Sequence, residues 1–210
     1  MIELLTVMSI TIVVAIVPGP DFVVVTRNAL AGGKLTGIMT ALGIALALAV
    51  HVTYAIAGIA VVVSQSIYIF NALKLIGAAY LLWLGWTMVR DAKQPLAETA
   101  AAKPMSPWKA LRWGFFTNVT NPKATMFALS VFVQVTSVDT SIWIKIGYGF
   151  VMAGGVFGWF VLVTFFFTQP AVRQAFLKAK YWLDATLGSI LAVFGLALAA
   201  SIVAQQPQRS

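Results

Sequence analysis

Apolar residues fill six long windows of this chain, at roughly 4–29, 36–63, 67–89, 111–134, 142–168 and 184–204, and polar positions gather between them. A helix that crosses a bilayer needs about 20 mostly apolar residues. The pattern therefore predicts an all-α integral membrane protein with six transmembrane helices. One long polar stretch separates the third window from the fourth, with Asp91, Lys93, Pro95, Glu98, Lys103, Pro104 and Pro107 among alanines, and reads as a flexible linker. It divides the chain into a first three-helix repeat at 1–90, a cytoplasmic linker at 91–110 and a second three-helix repeat at 111–210.

The first and fourth windows are interrupted. Pro18-Gly19-Pro20-Asp21 falls inside the first. Each proline removes a backbone donor and clashes with the preceding turn, and Pro20 disfavours helical geometry at Gly19. The helix should break there and restart at Asp21, which could cap the unpaired amides. The fourth window is disturbed at Asn118, Thr120, Asn121, Pro122 and Lys123, where Asn before Pro is a turn or cap signal. Irregular backbone at membrane depth is tolerated only inside protein or beside a wet cavity. A broken helix thus opens each set of three, and an odd-numbered set enters from the opposite side. That is the 3+3 inverted repeat of secondary transporters, with helices 1 and 4 interrupted to build a central site. No residue-level repeat is visible beyond the two prolines.

Composition agrees with a lipid solvent: 60% of the 210 residues are hydrophobic and 10% are charged, against about 25% charged in soluble domains. Cysteine is absent and His51 is the single histidine, so disulfides, thiolate metal sites and His-rich clusters are excluded, and no cofactor is implied. The net charge of +8 does not point to nucleic acid, because the basic residues lie in short segments between apolar runs. Arg27 and Lys34 fall in the first connection, Arg90, Lys93, Lys103, Lys109 and Arg112 in the third, and Arg173, Lys178 and Lys180 in the fifth. The remaining connections and the tail hold only Lys74, Lys145 and Arg209. Basic loops stay in the cytoplasm, which predicts a multi-pass protein of the inner membrane with both termini periplasmic. The opening Met1-Ile2-Glu3 lacks the basic segment of a signal peptide.

Small residues recur where helices could approach closely: Gly188, Ala192, Gly195 and Ala199 in the last window, Gly154 and Gly158 in the fifth, and Gly77 and Gly85 in the third. Such stripes serve internal packing or a homodimer, and the sequence does not choose. Six tryptophans, at 83, 86, 108, 113, 143 and 182, sit near expected helix ends as interfacial anchors, while Trp159 lies deeper.

Charge beside both breaks is expensive in a bilayer and usually functional. Asp21 and Lys123 could form a structural pair. Alternatively, Asp21 titrates in each cycle while Lys123 or helix-end amides receive a substrate carboxylate. His51 lies mid-helix on a small face with Ala47, Ala55 and Gly58, suited either to core hydrogen bonding or to a pore-lining proton relay.

Four stretches carry a family resemblance: Pro18-Gly19-Pro20-Asp21-Phe22; Gly77-Ala78-Ala79-Tyr80-Leu81-Leu82-Trp83-Leu84-Gly85; Phe116-Thr117-Asn118-Val119-Thr120-Asn121-Pro122-Lys123-Ala124; and Trp182-Leu183-Asp184 before the last glycine-bearing helix. On these the chain resembles the LysE/RhtB superfamily of bacterial amino-acid exporters, and its threonine and homoserine branch in particular. The resemblance implies export of amino acids or close derivatives from the cytoplasm by proton antiport. It carries the broken first helix onto Pro18, Gly19, Pro20 and Asp21, and the second signature onto Asn121, Pro122 and Lys123, with Asn118 just before it. Asp184 matches an acidic position opening the last helix, where it serves either as an N-cap beside basic residues or in proton transfer and gating. The family pattern assigns nothing to His51.

The expected partners are an amino acid, a proton and membrane lipid. Small neutral amino acids suit the sparsely charged site better than cationic ones, since no second buried acid is evident. An intramembrane enzyme would need paired carboxylates, a His-based dyad or a metal set, and Asp21, Asp184 and one histidine are too sparse. A channel or accessory subunit without coupled transport is the remaining alternative, recognisable by flux that never departs from electrochemical equilibrium.

Overall fold

The computed structural model describes residues 2–65, 67–94, 104–137 and 139–204. It is all-α, with seven helices among the described residues: α1 (Ile2–Ile16), α2 (Pro20–Gln65), α3 (Ile67–Asp91), α4 (Pro107–Val119), α5 (Pro122–Val135), α6 (Ile142–Phe167) and α7 (Pro170–Ala204). Residues 95–103 of the expected linker, including Glu98 and Lys103, lie outside the described residues, as does Arg209.

Proline places the helix starts. Helices α2, α4, α5 and α7 each open on one, where the missing N–H would have had no intrahelical partner and φ is already helical. Side-chain caps complete several starts: Ser106 accepts from Lys109 N ahead of α4, Asn121 from Lys123 N ahead of α5, and Ser141 from Trp143 N ahead of α6.

These starts overturn the expectation of six transmembrane helices in a 3+3 inverted repeat. Four described helices are long and apolar enough to cross a membrane, over Pro20–Ile59, Asn71–Asp91, Ile142–Phe167 and Pro170–Ala200. Glu3–Ile16 and Pro122–Val135 are apolar but shorter, about 21 Å each at 1.5 Å per residue against a hydrocarbon core of about 30 Å. The windows at 4–29 and 111–134 are thus not interrupted spans. Each is two helices, because the prolines end one hydrogen-bond ladder and begin another. The polar stretch around Arg27 and Lys34 does end a helical arm, as expected of the first connection. The helical ladder of α2 is broken at Gly33, whose φ of 81° and ψ of −178° are open to glycine, so α2 consists of two helical arms that fold back on one another. Buried Asn28 of the first arm donates to Thr40 Oγ1 of the second at 3.0 Å, and Thr36 and Thr40 bond back to the carbonyls of Gly32 and Thr36. The basic run at Arg173, Lys178 and Lys180, by contrast, lies within α7, not in a loop.

Two crossings hold the bundle. A Cβ on Gly43 of α2 would collide with the Leu111 carbonyl of α4, and one on Gly114 with the Thr40 carbonyl of α2. Helices α3 and α7 repeat the arrangement, with Gly85 against the Gly188 carbonyl, and Gly195 against Ala78 and Leu82. Lipid supplies no hydrophobic drive between helices, so close backbone approach is what binds them. The stripe at Gly188, Ala192, Gly195 and Ala199 therefore packs internally at its glycines. Gly154 and Gly158 have open space where a Cβ would go. The six tryptophans expected as anchors are all exposed on the outside of the bundle, and Trp159 packs against the core.

A Val side chain at Gly114 should destabilise the α2–α4 crossing by about 1–3 kcal/mol, the usual cost of overpacking, whereas Gly154→Ala should change little. Thermal unfolding in detergent distinguishes them; equal midpoints for both variants would contradict the packing assigned to Gly114.

Candidate functional site

Both helix breaks end up against each other. Residues 17–19 carry the chain from α1 into α2, where the Gly19 carbonyl accepts from Val23 N at 3.0 Å. Asp21 sits in the first turn of α2, but it does not cap that turn as the sequence suggested. Its Oδ2 accepts instead from Nδ2 of Asn118, the last-but-one residue of α4, at 2.9 Å. Asn118 is buried, and its backbone carbonyl accepts twice, from Asn121 N at 2.9 Å and from His51 Nε2 at 3.1 Å.

His51 lies on α2 at 3% exposure, and its second nitrogen, Nδ1, is 3.2 Å from Thr125 Oγ1 of α5. Because the Asn118 carbonyl can only accept, Nε2 carries a proton and Nδ1 accepts from the Thr125 hydroxyl in the neutral ring. His51 therefore clamps both sides of the α4–α5 break, to α4 through Asn118 and to α5 through Thr125. On the far side of the break, Tyr80 of α3 donates to the Lys123 carbonyl at 3.0 Å. Asn121 caps α5 as its position before Pro122 suggested; Pro122 itself is exposed and opens the helix.

A small cavity of about 60 Å³ lies between the breaks, lined by Gly19, Pro20, Asp21, Asn118, Asn121 and Lys123 with an apolar wall that includes Phe22, Phe127 and Phe160. Asp21 and Lys123 face this space together but form no ion pair; the ion pairs among the described residues are Arg90–Asp91 and Lys180–Asp184. Asp21 Oδ1 and Asn118 Oδ1 are buried without hydrogen-bond partners. Buried polar atoms left unbonded are costly, and both residues line the cavity. The arrangement offers a cation, a carboxylate and the amide end of α5 around one small volume.

Pro18 lines a neighbouring, wider cavity instead, and so does Asp184. Asp184 is not an N-cap. It lies in the interior of α7, which starts at Pro170, and its Oδ2 pairs with Lys180 Nζ one turn earlier at 2.7 Å. Tyr80 and Thr125 were not singled out as candidate site residues from the sequence. A lone hydroxyl among many carries no pattern, although Thr125 stands one helical turn from Asn121.

The sequence matches the family model described as LysE type translocator over residues 12–201. An uncharacterized membrane protein of Escherichia coli (strain K12), YahN, is 32% identical over 184 residues, 86% of this chain and 82% of that protein. The threonine efflux protein of the same organism is 28% identical over 197 residues, 92% of this chain and 96% of that protein. The leucine efflux protein of Klebsiella pneumoniae subsp. pneumoniae is 34% identical over 132 residues, 60% of this chain and 59% of that protein. No solved structure matches.

Removing the clamp should loosen the break in proportion to the bonds lost. Thr125→Val removes one bond to His51, costing about 1 kcal/mol, while His51→Ala removes both and leaves a buried void, costing about 2–4 kcal/mol. Unfolding in mixed micelles measures the order; a Thr125→Val cost exceeding that of His51→Ala would contradict it.

Proposed function

The chain belongs to the LysE type translocator family, and from that membership we propose that it is a secondary transporter exporting small neutral amino acids, threonine- or homoserine-like, by proton antiport. The observation that carries this reading is the cavity shared by the two helix breaks, where Asp21 and Lys123 stand together without pairing. The threonine and leucine efflux proteins among its relatives support an amino acid as the cargo. The substrate carboxylate meets Lys123 Nζ or the first amides of α5, and its ammonium meets the unpartnered Oδ1 of Asp21. A proton arriving at Asp21 from outside cancels the charge that holds the ammonium and releases the substrate. Proton and amino acid then compete for one carboxylate, which is the essence of antiport.

Small-molecule sites occupy about 300–1,000 Å³, so a cavity of about 60 Å³ must widen to take cargo. The breaks supply the means, because helices that end at 16 and 119 can move relative to those that start at 20 and 122 without tearing a continuous ladder. The basic residues Arg90, Lys109 and Lys180 support a cytoplasmic face there and periplasmic termini.

The test is a panel of radiolabelled amino acids in inverted proteoliposomes, with and without an imposed pH gradient. An acidic lumen should drive uptake of one or more small neutral amino acids by the wild type. Asp21→Asn should abolish the pH-driven component while the protein remains folded and monodisperse. Full proton-coupled uptake by that variant would overturn the role of Asp21. Saturable uptake indifferent to pH would remove the antiport, and equilibrating flux would replace the transporter by a channel.

A further inference from the structure

The wider cavity beside the breaks has a volume of about 640 Å³, inside the range of small-molecule sites. The inner cavity, at about 60 Å³, has room for about two waters at their liquid volume. Gly19, Pro20 and Lys123 line both, and Lys123 lies within electrostatic reach of Asp21 on one side and Asp184 on the other. Lys123 Nζ takes part in none of the described hydrogen bonds or ion pairs. It is a cation shared by two chambers.

Asp184 is the second acid. It is 5% exposed, and Lys180 holds only its Oδ2, also reaching the Ala92 carbonyl beyond the end of α3 at 3.4 Å. Asp184 Oδ1 has no partner. An ion pair buried with one carboxylate oxygen unused does not repay its desolvation by stability alone. The other carboxylate of this chamber, Asp91, is already bonded to Arg90 at 2.8 and 2.9 Å. Trp83, Leu84 and Met88 of α3 supply an apolar wall opposite.

We propose that this outer chamber is a docking subsite for an α-amino acid zwitterion, whose ammonium is held by Asp184 Oδ1 and whose carboxylate is held by Lys123. The side chain lies on the wall of Trp83, Leu84 and Met88. With Asp91 engaged by Arg90, no further acid is free for a cationic side chain, and neutral amino acids are selected. The substrate then moves inward by exchanging Asp184 for Asp21 while its carboxylate stays on Lys123. This proposal rests on the transporter reading above and adds a step before the Asp21 cavity.

The absence of cysteine makes the chamber directly addressable. Thr87 lines it and does not line the inner cavity. Thr87→Cys should react with a membrane-impermeant methanethiosulfonate in proteoliposomes. The amino acid that the wild type moves fastest should slow that reaction several-fold. The slowing should persist in an Asp21→Asn background and vanish with Asp184→Asn, which should also raise the transport KM about tenfold, as expected for one charge-assisted bond, with a smaller change in kcat. Asp184→Glu should restore part of the protection. If Asp184→Asn is not recovered folded, the double variant K180Q/D184N, which removes both charges together, takes its place. No protection in the wild-type background, or protection indifferent to Asp184, would overturn the subsite. Protection without pH-driven flux would instead preserve the subsite and remove the antiport reading, so the two fail separately.

Discussion

A backbone that stops being helical within a membrane bundle can satisfy its amides and carbonyls only with other parts of the protein. Asn118 is where this chain meets that constraint. Its side chain reaches the first turn of α2 at Asp21, and its carbonyl receives both Asn121 N and His51 Nε2. Asn121 caps α5, Thr125 returns to His51, and Tyr80 fastens the Lys123 carbonyl to α3. Each break thus supplies polar groups to the other, and the surplus acceptors left at Asp21 and Asn118 belong to residues that line the small cavity between them.

Packing delivers these residues to one another. Asn118 lies one helical turn beyond Gly114, whose missing side chain allows α4 to press on the Thr40 carbonyl of α2. The α3–α7 crossing at Gly85 and Gly188 does the same for the outer chamber, holding Trp83 and Thr87 on one side and Asp184 on the other. Glycine at the two crossings and proline at the helix starts are therefore one design. One class of residue brings backbones together, and the other decides where the backbone is free to bend.

Much of this was legible in the sequence, and the failures have physical causes. The all-α membrane character followed from the apolar windows, and the two breaks followed from Pro18, Pro20 and Pro122. The number of spans did not, because hydropathy measures how apolar a window is, whereas a helix continues or ends by its hydrogen bonds. The polar residues from Arg27 to Lys34 do mark a reversal, at Gly33, whereas those from Arg173 to Lys180 are compatible with helix and extend it instead of ending it. The expected helix start at Asp184 failed for the same reason. The partner of Asp21 was not legible at all: Lys123 and Asn118 both stood near the second break, and only the tertiary arrangement chose the amide over the ammonium. Tyr80 stood in one of the stretches that carry the resemblance without a role attached to it, and Thr125 carried no pattern that would separate it from ordinary hydroxyls.

The central claim is that the two breaks support one another through the contact of Asp21 with Asn118. A double-mutant cycle on reversible unfolding in bicelles tests it most directly, comparing Asp21→Ala, Asn118→Ala and the double variant with the wild type. A hydrogen bond to a charged group predicts a coupling of about 1.5–3 kcal/mol. Strictly additive losses, with no coupling between the two positions, would contradict it.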